Sequence, residues 1–150
     1  MLEARYATEL DVLLLAELNQ EMIAASGHSS ILNREELIVR MKNWITSGEY
    51  EAILFFCSNE LVGYCLFRGR STICLRQFLI RKRYRGRGVG QSAFEFLKEN
   101  VWSKDSTVKL DVYPTNSSGY AFWRRLGFNG EPESMVLNIG LDSSKPANVT

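Results

Sequence analysis

Five cationic side chains, Arg81, Lys82, Arg83, Arg85 and Arg87, share residues 81–90 with three glycines, Gly86, Gly88 and Gly90, and helix-forming residues follow at once. A glycine loop that opens a helix presents free backbone N–H groups, and the helix dipole adds partial positive charge at the same place. Glycines remove the β-carbons that would keep an anion away from those groups, and arginines neutralise further charge. The chemistry served is anion binding. Five cations exceed what one phosphate requires, so the stretch suits a ligand with several phosphate groups.

Spacing separates the phosphate-binding motifs. The form GxxxxGK[ST] is absent, because no Gly-Lys pair occurs. "GVGQSA", residues 88–93, satisfies the dinucleotide form GxGxxA, and Asp111 lies roughly 20 residues on, where a ribose-binding acid would stand. The context is wrong for a dinucleotide fold: the unit comes late, and only residues 114–150 follow the strand that ends at Tyr113. Arg76, Phe78, Tyr84 and the loop arginines interleave basic and aromatic groups as a nucleic-acid surface does, but no nucleic-acid motif accompanies them, and no nucleic-acid partner is expected. A merely solvated face would mix signs. Residues 61–94 hold eight basic residues and no acidic one, whereas residues 1–60 hold ten acidic and four basic residues.

The elements that must position this loop follow from the flanking pattern. "EARYA" reads as a first strand, and Thr8 with Asp11 forms a capping box before a helix with apolar positions Leu14, Leu15, Leu18 and Met22. A second helix starts at Asn33, with Glu36 at its third position, and carries Leu37, Met41, Trp44 and Ile45 on one face. "YEAILFFC", "LVGYCLFR" and "TICLRQFLI", joined by three-residue turns at "SNE" and "GRS", predict an antiparallel meander. After the glycine loop come a helix on Val89, Ala93, Phe94, Leu97 and Val101, the strand "TVKLDVY", a short helix "GYAFWRRL" ended by Gly127, and a final pair of short strands around Phe128 and "SMVLNIGL". The order β α α β β β α β α β β, with a strand–helix–strand unit over 72–113, requires an α/β fold with a mixed sheet and one parallel pair.

The chain of 150 residues is sized for one domain, expected over 1–141 with a polar tail over 142–150. No apolar run reaches the roughly 20 residues of a membrane helix, so no membrane partner is expected. "MLEARYATEL" lacks the regions of a secretory signal, and a cytoplasmic location is the expectation. Cys57, Cys65 and Cys74 show no metal-ligand spacing and His28 is the one histidine, so no metal is expected and the cysteines read as buried, reduced thiols. A homodimer is compatible with all of this.

"RGRGVG", Arg85 to Gly90, resembles the R/Q-x-x-G-x-G/A signature of the GNAT-type N-acetyltransferase superfamily, and it stands between a strand and a helix as that signature must. "NSSGYAFWRRLGF", residues 116–128, is similar to the later N-x-x-A-x-x-x-Y-x-x-x-G-F segment of the same superfamily. The two segments, in the same element order, extend the resemblance over nearly the whole chain. It implies a single-domain GNAT-like fold whose parallel strands, ending near Ile80 and Tyr113, splay apart to hold acetyl-coenzyme A. The pyrophosphate would sit on the N–H groups of Arg85, Gly86, Arg87, Gly88, Val89, Gly90 and Gln91. The pantetheine arm would pair with the strand edge at Leu79 and Ile80, with Asn116 contacting it.

The same resemblance implies direct attack of a primary amine, on a small molecule or peptide, on the thioester, with the oxyanion held by a backbone N–H near Leu79 or Ile80, worth on the order of 3 kcal/mol in comparable sites. An alkyl ammonium with pKa near 10.4 must first lose its proton. The family's tyrosine acid falls here on Trp123, whose indole N–H has no useful acidity, so Trp123 is expected to pack along the cofactor arm. Tyr120 and Tyr113 are the substitute acids, and Asp111, Glu21 and His28 the candidate bases. The acidic first 60 residues point to a cationic acceptor. A non-catalytic acyl-CoA-binding regulatory module is the first alternative, and a nucleic-acid-binding protein the second.

Overall fold

The computed structural model describes residues 1–27 and 31–140. Strand β1 (Leu2–Tyr6) leads into the Thr8 capping box, where the Thr8 N–H donates to the Asp11 carboxylate at 2.8 Å. Arg5 of β1 grips the same carboxylate through two hydrogen bonds of 2.9 and 3.0 Å and holds Asp11 below its ordinary pKa. One 3₁₀ turn, Glu9–Asp11, separates this cap from α1 (Val12–Ala25). Helix α2 (Arg34–Ser47) begins on the Asn33–Glu36 capping box and stops at Gly48, whose φ of 77° is the left-handed conformation that glycine adopts without a Cβ penalty. His28, named as a candidate base, lies outside the described residues, as does the expected tail over 142–150.

The meander follows as β2 (Glu51–Cys57), β3 (Glu60–Arg68) and β4 (Thr72–Ile80). The first turn is shorter than the sequence suggests: Ser58 and Asn59 both take positive φ, which is the two-residue turn whose twist matches a hairpin, and Glu60 already belongs to β3. Then come α3 (Val89–Asn100), β5 (Thr107–Leu110), α4 (Ser117–Arg125) and β6 (Met135–Asn138). The six strands lie side by side in chain order, antiparallel except for β4 with β5. Of the expected final strand pair only β6 forms, and its partner is reduced to a bridge between Asn129 and Val136.

Two apolar layers cover the sheet. Val12, Leu15 and Leu18 of α1 and Met41 and Trp44 of α2 pack on Leu54, Tyr64, Leu66 and Leu79 on one face. On the other face Ala93, Phe94 and Leu97 of α3 and Trp123 of α4 pack on Phe55, Phe67, Leu75 and Val108. Strand alternation turns Ile73 and Leu75 inward and leaves Cys74 between them exposed, and Cys57 is half-buried, so the expectation that all three cysteines are buried holds only at Cys65.

The parallel pair is short. β4 and β5 match at Thr72–Thr107, Ile73–Val108 and Cys74–Lys109, and there the pairing ends. Two residues later β4 bulges: Leu75 faces Phe67 and Gln77 faces Leu66, which leaves Arg76 without an opposite residue on β3. A bulge bends its strand and raises the local twist. From Leu75 onward β4 stays with β3 and leaves β5. The strand expected over "TVKLDVY" is accordingly cut to Thr107–Leu110, and the Val112 N–H turns instead to the Pro132 carbonyl at 2.7 Å.

Phe94 is fully buried, with Trp102, Trp123 and Phe128 rings at 5.6–5.7 Å from its own. Phe94→Ala should lower unfolding free energy by about 3–5 kcal/mol, measured by denaturant titration, because three aromatic neighbours cannot collapse into the space together.

Candidate active site

The edge that β4 turns toward the gap is set by strand periodicity. The Arg81 N–H donates to the Val62 carbonyl at 2.8 Å, and a β-carbon on Gly63 would land on the Leu79 carbonyl oxygen, so Leu79 directs its backbone to β3. Alternation then points the N–H and C=O of Phe78 and Ile80 into the gap. The Ile80 carbonyl accepts from Arg85 Nε at 2.7 Å on that open side. Of the two donors named from sequence, Ile80 faces the gap, and Leu79 is buried against α1 and α2. Phe78 is the residue sequence reasoning passed over as part of this edge, although the same period of two could have found it.

At the mouth of the gap lies the glycine loop. Arg85 donates its N–H to Lys82 O and Ser92 to Gly88 O, while none of the N–H groups between them, Gly86 to Gln91, donates to a backbone acceptor among the described residues. Gly86 and Gly88 take φ of 78° and 79°, a conformation costing other residues roughly 1–2 kcal/mol, and a β-carbon on either would meet open space. Gly90 is small for a different reason: a β-carbon there would press on the Phe122 ring at 3.1 Å, so it allows α3 to pack on α4. Val89 is half-buried on the α3-side core. Lys82, Arg83, Arg85 and Arg87 surround the loop, and none of them forms an ion pair with a carboxylate among the described residues. A row of unused donors, open space beside them and unpaired cations fit a polyphosphate, and the free edge of β4 fits an extended arm.

The other residues named from sequence scatter. Asn116 caps α4, with Oδ1 accepting from Gly119 N–H at 3.0 Å, which leaves Nδ2 as its available donor. Trp123 is buried, at 4.8–5.6 Å from Phe78, Phe94, Phe122 and Phe128, in an aromatic cluster whose edge, Phe78, belongs to the gap strand. Tyr120 donates its hydroxyl proton to the Gly130 carbonyl at 2.9 Å. Tyr113 and Asp111 are exposed beyond the end of β5. Glu21 of α1 receives Arg81 through two bonds of 3.2 Å, a pair that ties α1 to the loop across 60 residues of chain and leaves no local trace in the sequence. The pair borders a recess of about 350 Å³ with Lys82, Arg83 and Tyr84. Tyr84 in turn donates to Glu60 at 2.6 Å, which raises its pKa. Among the described residues no group of three or more His, Cys, Asp or Glu could hold a metal, and no helix is long and apolar enough to cross a membrane.

Known proteins share this fold. Residues 13–128 match the family model described as "Acetyltransferase (GNAT) family". An acetyltransferase from Thermus thermophilus has a similar structure, with TM-score 0.70, 23% identity and coverage of 91% of this chain and 94% of the other. The paia N-acetyltransferase of Thermoplasma acidophilum, in complex with coenzyme A, aligns with TM-score 0.66 and 18% identity over 92% of this chain and 99% of the other. A ribosomal-protein-alanine N-acetyltransferase from Brucella melitensis biovar Abortus 2308 aligns with TM-score 0.64 and 13% identity over 87% and 94%. No curated protein sequence matches the chain.

Gly88→Asp places a β-carbon and a carboxylate in the open space beside the free N–H groups. Calorimetric affinity for coenzyme A should fall at least a hundredfold, about 2.7 kcal/mol or more, while the melting temperature without ligand drops by only a few degrees. Unchanged affinity would move the phosphates away from this loop.

Proposed function

The chain belongs to the Acetyltransferase (GNAT) family, and we propose that it transfers the acetyl group of acetyl-CoA to a primary amine by direct attack in a ternary complex. The observation that carries this reading is the meeting of two features: a parallel strand pair that stops at Cys74 and Lys109, and a row of unused N–H donors from Gly86 to Gln91 where the resulting gap opens. Acetyl-CoA is the donor that members of this family use. Its phosphates suit the loop and its arginines. Its arm suits the free edge of Phe78 and Ile80, with Asn116 Nδ2 as a side-chain donor.

The residues of this chain divide the work as follows. The Ile80 N–H, directed into the gap, is the donor for the thioester carbonyl as negative charge develops there. Phe78 and the Trp123 cluster behind it form an apolar wall that excludes water from the arm. No side chain is offered as a proton donor. Tyr120 already gives its proton to Gly130, and Trp123 has no acidity to lend. A thiol with pKa near 8.5 leaves as thiolate without an acid. Glu21 is held by Arg81, with both carboxylate oxygens already accepting from the guanidinium. The amine therefore reaches the thioester as the neutral fraction that exists at a given pH, with water taking the proton.

Release of coenzyme A thiol, followed with a panel of amines, tests this. kcat/KM should rise about tenfold per pH unit between pH 6 and 8 and level off near the pKa of the amine, and Tyr120→Phe should stay within about threefold of wild type. A pH-independent rate, or a loss of a hundredfold or more in Tyr120→Phe, would establish a side-chain acid or base. Bound coenzyme A with no thiol release from any amine would make the chain an acyl-CoA-binding module instead.

A further inference from the structure

A second cluster lies on the α1/α2 face of the sheet. Arg40 of α2 and Arg76 of β4 converge on one indole, with Cζ atoms 4.4 and 4.8 Å from the centre of the Trp44 ring. Arg76 also lies 5.8 Å from the centre of the Tyr50 ring and donates to the Tyr50 hydroxyl at 3.5 Å. Stacking on fixed aromatic faces holds both guanidinium planes in place.

The cluster has donors in excess. Arg40 Nη2 donates to Asn19 Oδ1 at 3.1 Å, but Arg40 Nε and Asn19 Nδ2 are buried with no partner among the described residues, and Asn19 is 1% exposed. Among the described residues neither arginine pairs with a carboxylate; the ion pairs there are Arg5–Asp11, Arg68–Glu49, Arg81–Glu21 and Lys98–Glu95. The neighbouring Tyr64 hydroxyl is spent on Gln77 at 2.6 Å, and burial keeps that phenol protonated, so it supplies no negative charge. Burial and the neighbouring Arg76 together depress the pKa of Arg40. Two adjacent guanidinium groups and two orphaned donors lack one thing, an anion.

Position says whose anion it is. Arg76 is the bulged residue, standing where β4 parts from β5. The cluster therefore sits beside the closed end of the gap, and the glycine loop sits at its open end. The acidic surplus of residues 1–60, which suggested a cationic acceptor, is partly committed: Asp11 to Arg5, Glu36 to its cap and Glu21 to Arg81.

We propose that Arg40 and Arg76, braced by Trp44, Tyr50 and Asn19, form a subsite for a carboxylate carried by the acceptor, so that the substrate is an amino acid or an amine of that type. This rests on the acetyltransferase reading. Two arginines can give one carboxylate a bidentate contact and further single hydrogen bonds, and they would repel a polyamine.

Two readouts test it. The first is thiol release with matched acceptors: α-amino acids, their carboxamides, the decarboxylated amines and the aminophosphonates. The amino acids should exceed the other three by at least tenfold in kcat/KM, and Arg76→Gln should shrink that ratio toward one, chiefly through KM. The second needs no turnover: binding of N-acetyl amino acids, followed by Trp44 fluorescence with coenzyme A present, should be at least tenfold tighter than binding of their amides in wild type and should lose that preference in Arg76→Gln and in Arg40→Gln. Equal binding of acid and amide in wild type, or a preference for decarboxylated or phosphonate acceptors, overturns the carboxylate subsite. Selective binding of the acid without any turnover would sustain the subsite and defeat the acetyltransferase reading alone.

Discussion

The pairing of β4 with β5 stops after three residue pairs, and the rest of the site depends on that stop. A strand edge without a partner exposes N–H and C=O groups that cost free energy if buried unsatisfied. The chain accepts that cost along Phe78 and Ile80 because the bulge at Arg76 bends β4 with β3 and away from β5. Short parallel pairing anchors one end of the gap, and α3 and α4 meet closely at Gly90 and Phe122. A ligand with an extended, hydrogen-bonding arm would relieve the exposed edge.

Charge is arranged around the same gap. Of the eight cations in residues 61–94, Arg68 and Arg81 are taken up by Glu49 and Glu21, and Lys82, Arg83, Arg85 and Arg87 are left around a loop of free N–H groups. Arg76 is used at the opposite end, where it stacks with Arg40 on Trp44. Positive charge thus brackets the gap at both ends. In the proposed reading the loop end would serve polyphosphate and the bulge end the acceptor, and the apolar wall between them, from Phe78 to Trp123, would keep a thioester from water.

Local signals carried much of this in the sequence. Both capping boxes, Thr8 with Asp11 and Asn33 with Glu36, were legible because they depend on residues three apart. The glycine loop was legible because positive φ and missing β-carbons leave a compositional trace. What the sequence withheld depends on partners distant in the chain. The bulge at Arg76 is a mismatch between two strands, which neither strand reveals alone. Whether Leu79 or Ile80 faces the gap is fixed by register with β3. Glu21 with Arg81, and Arg40 with Arg76, are encounters across the fold. Gly90 looked like part of the phosphate cradle, and its distant neighbour Phe122 adds a packing reason for the missing β-carbon that the sequence did not show.

If coenzyme A lies along one edge of β4 and on the loop that follows it, its binding must change the backbone amides of those two segments and spare their neighbours. Amide hydrogen exchange, resolved residue by residue with and without coenzyme A, reads this without reference to turnover. Strong new protection is expected at Phe78, Ile80 and Gly86 to Gln91, with Leu79, already turned toward β3, slow in both states. Exchange at Phe78, Ile80 and the loop amides that stays unchanged on binding would place the co-substrate elsewhere and overturn the site.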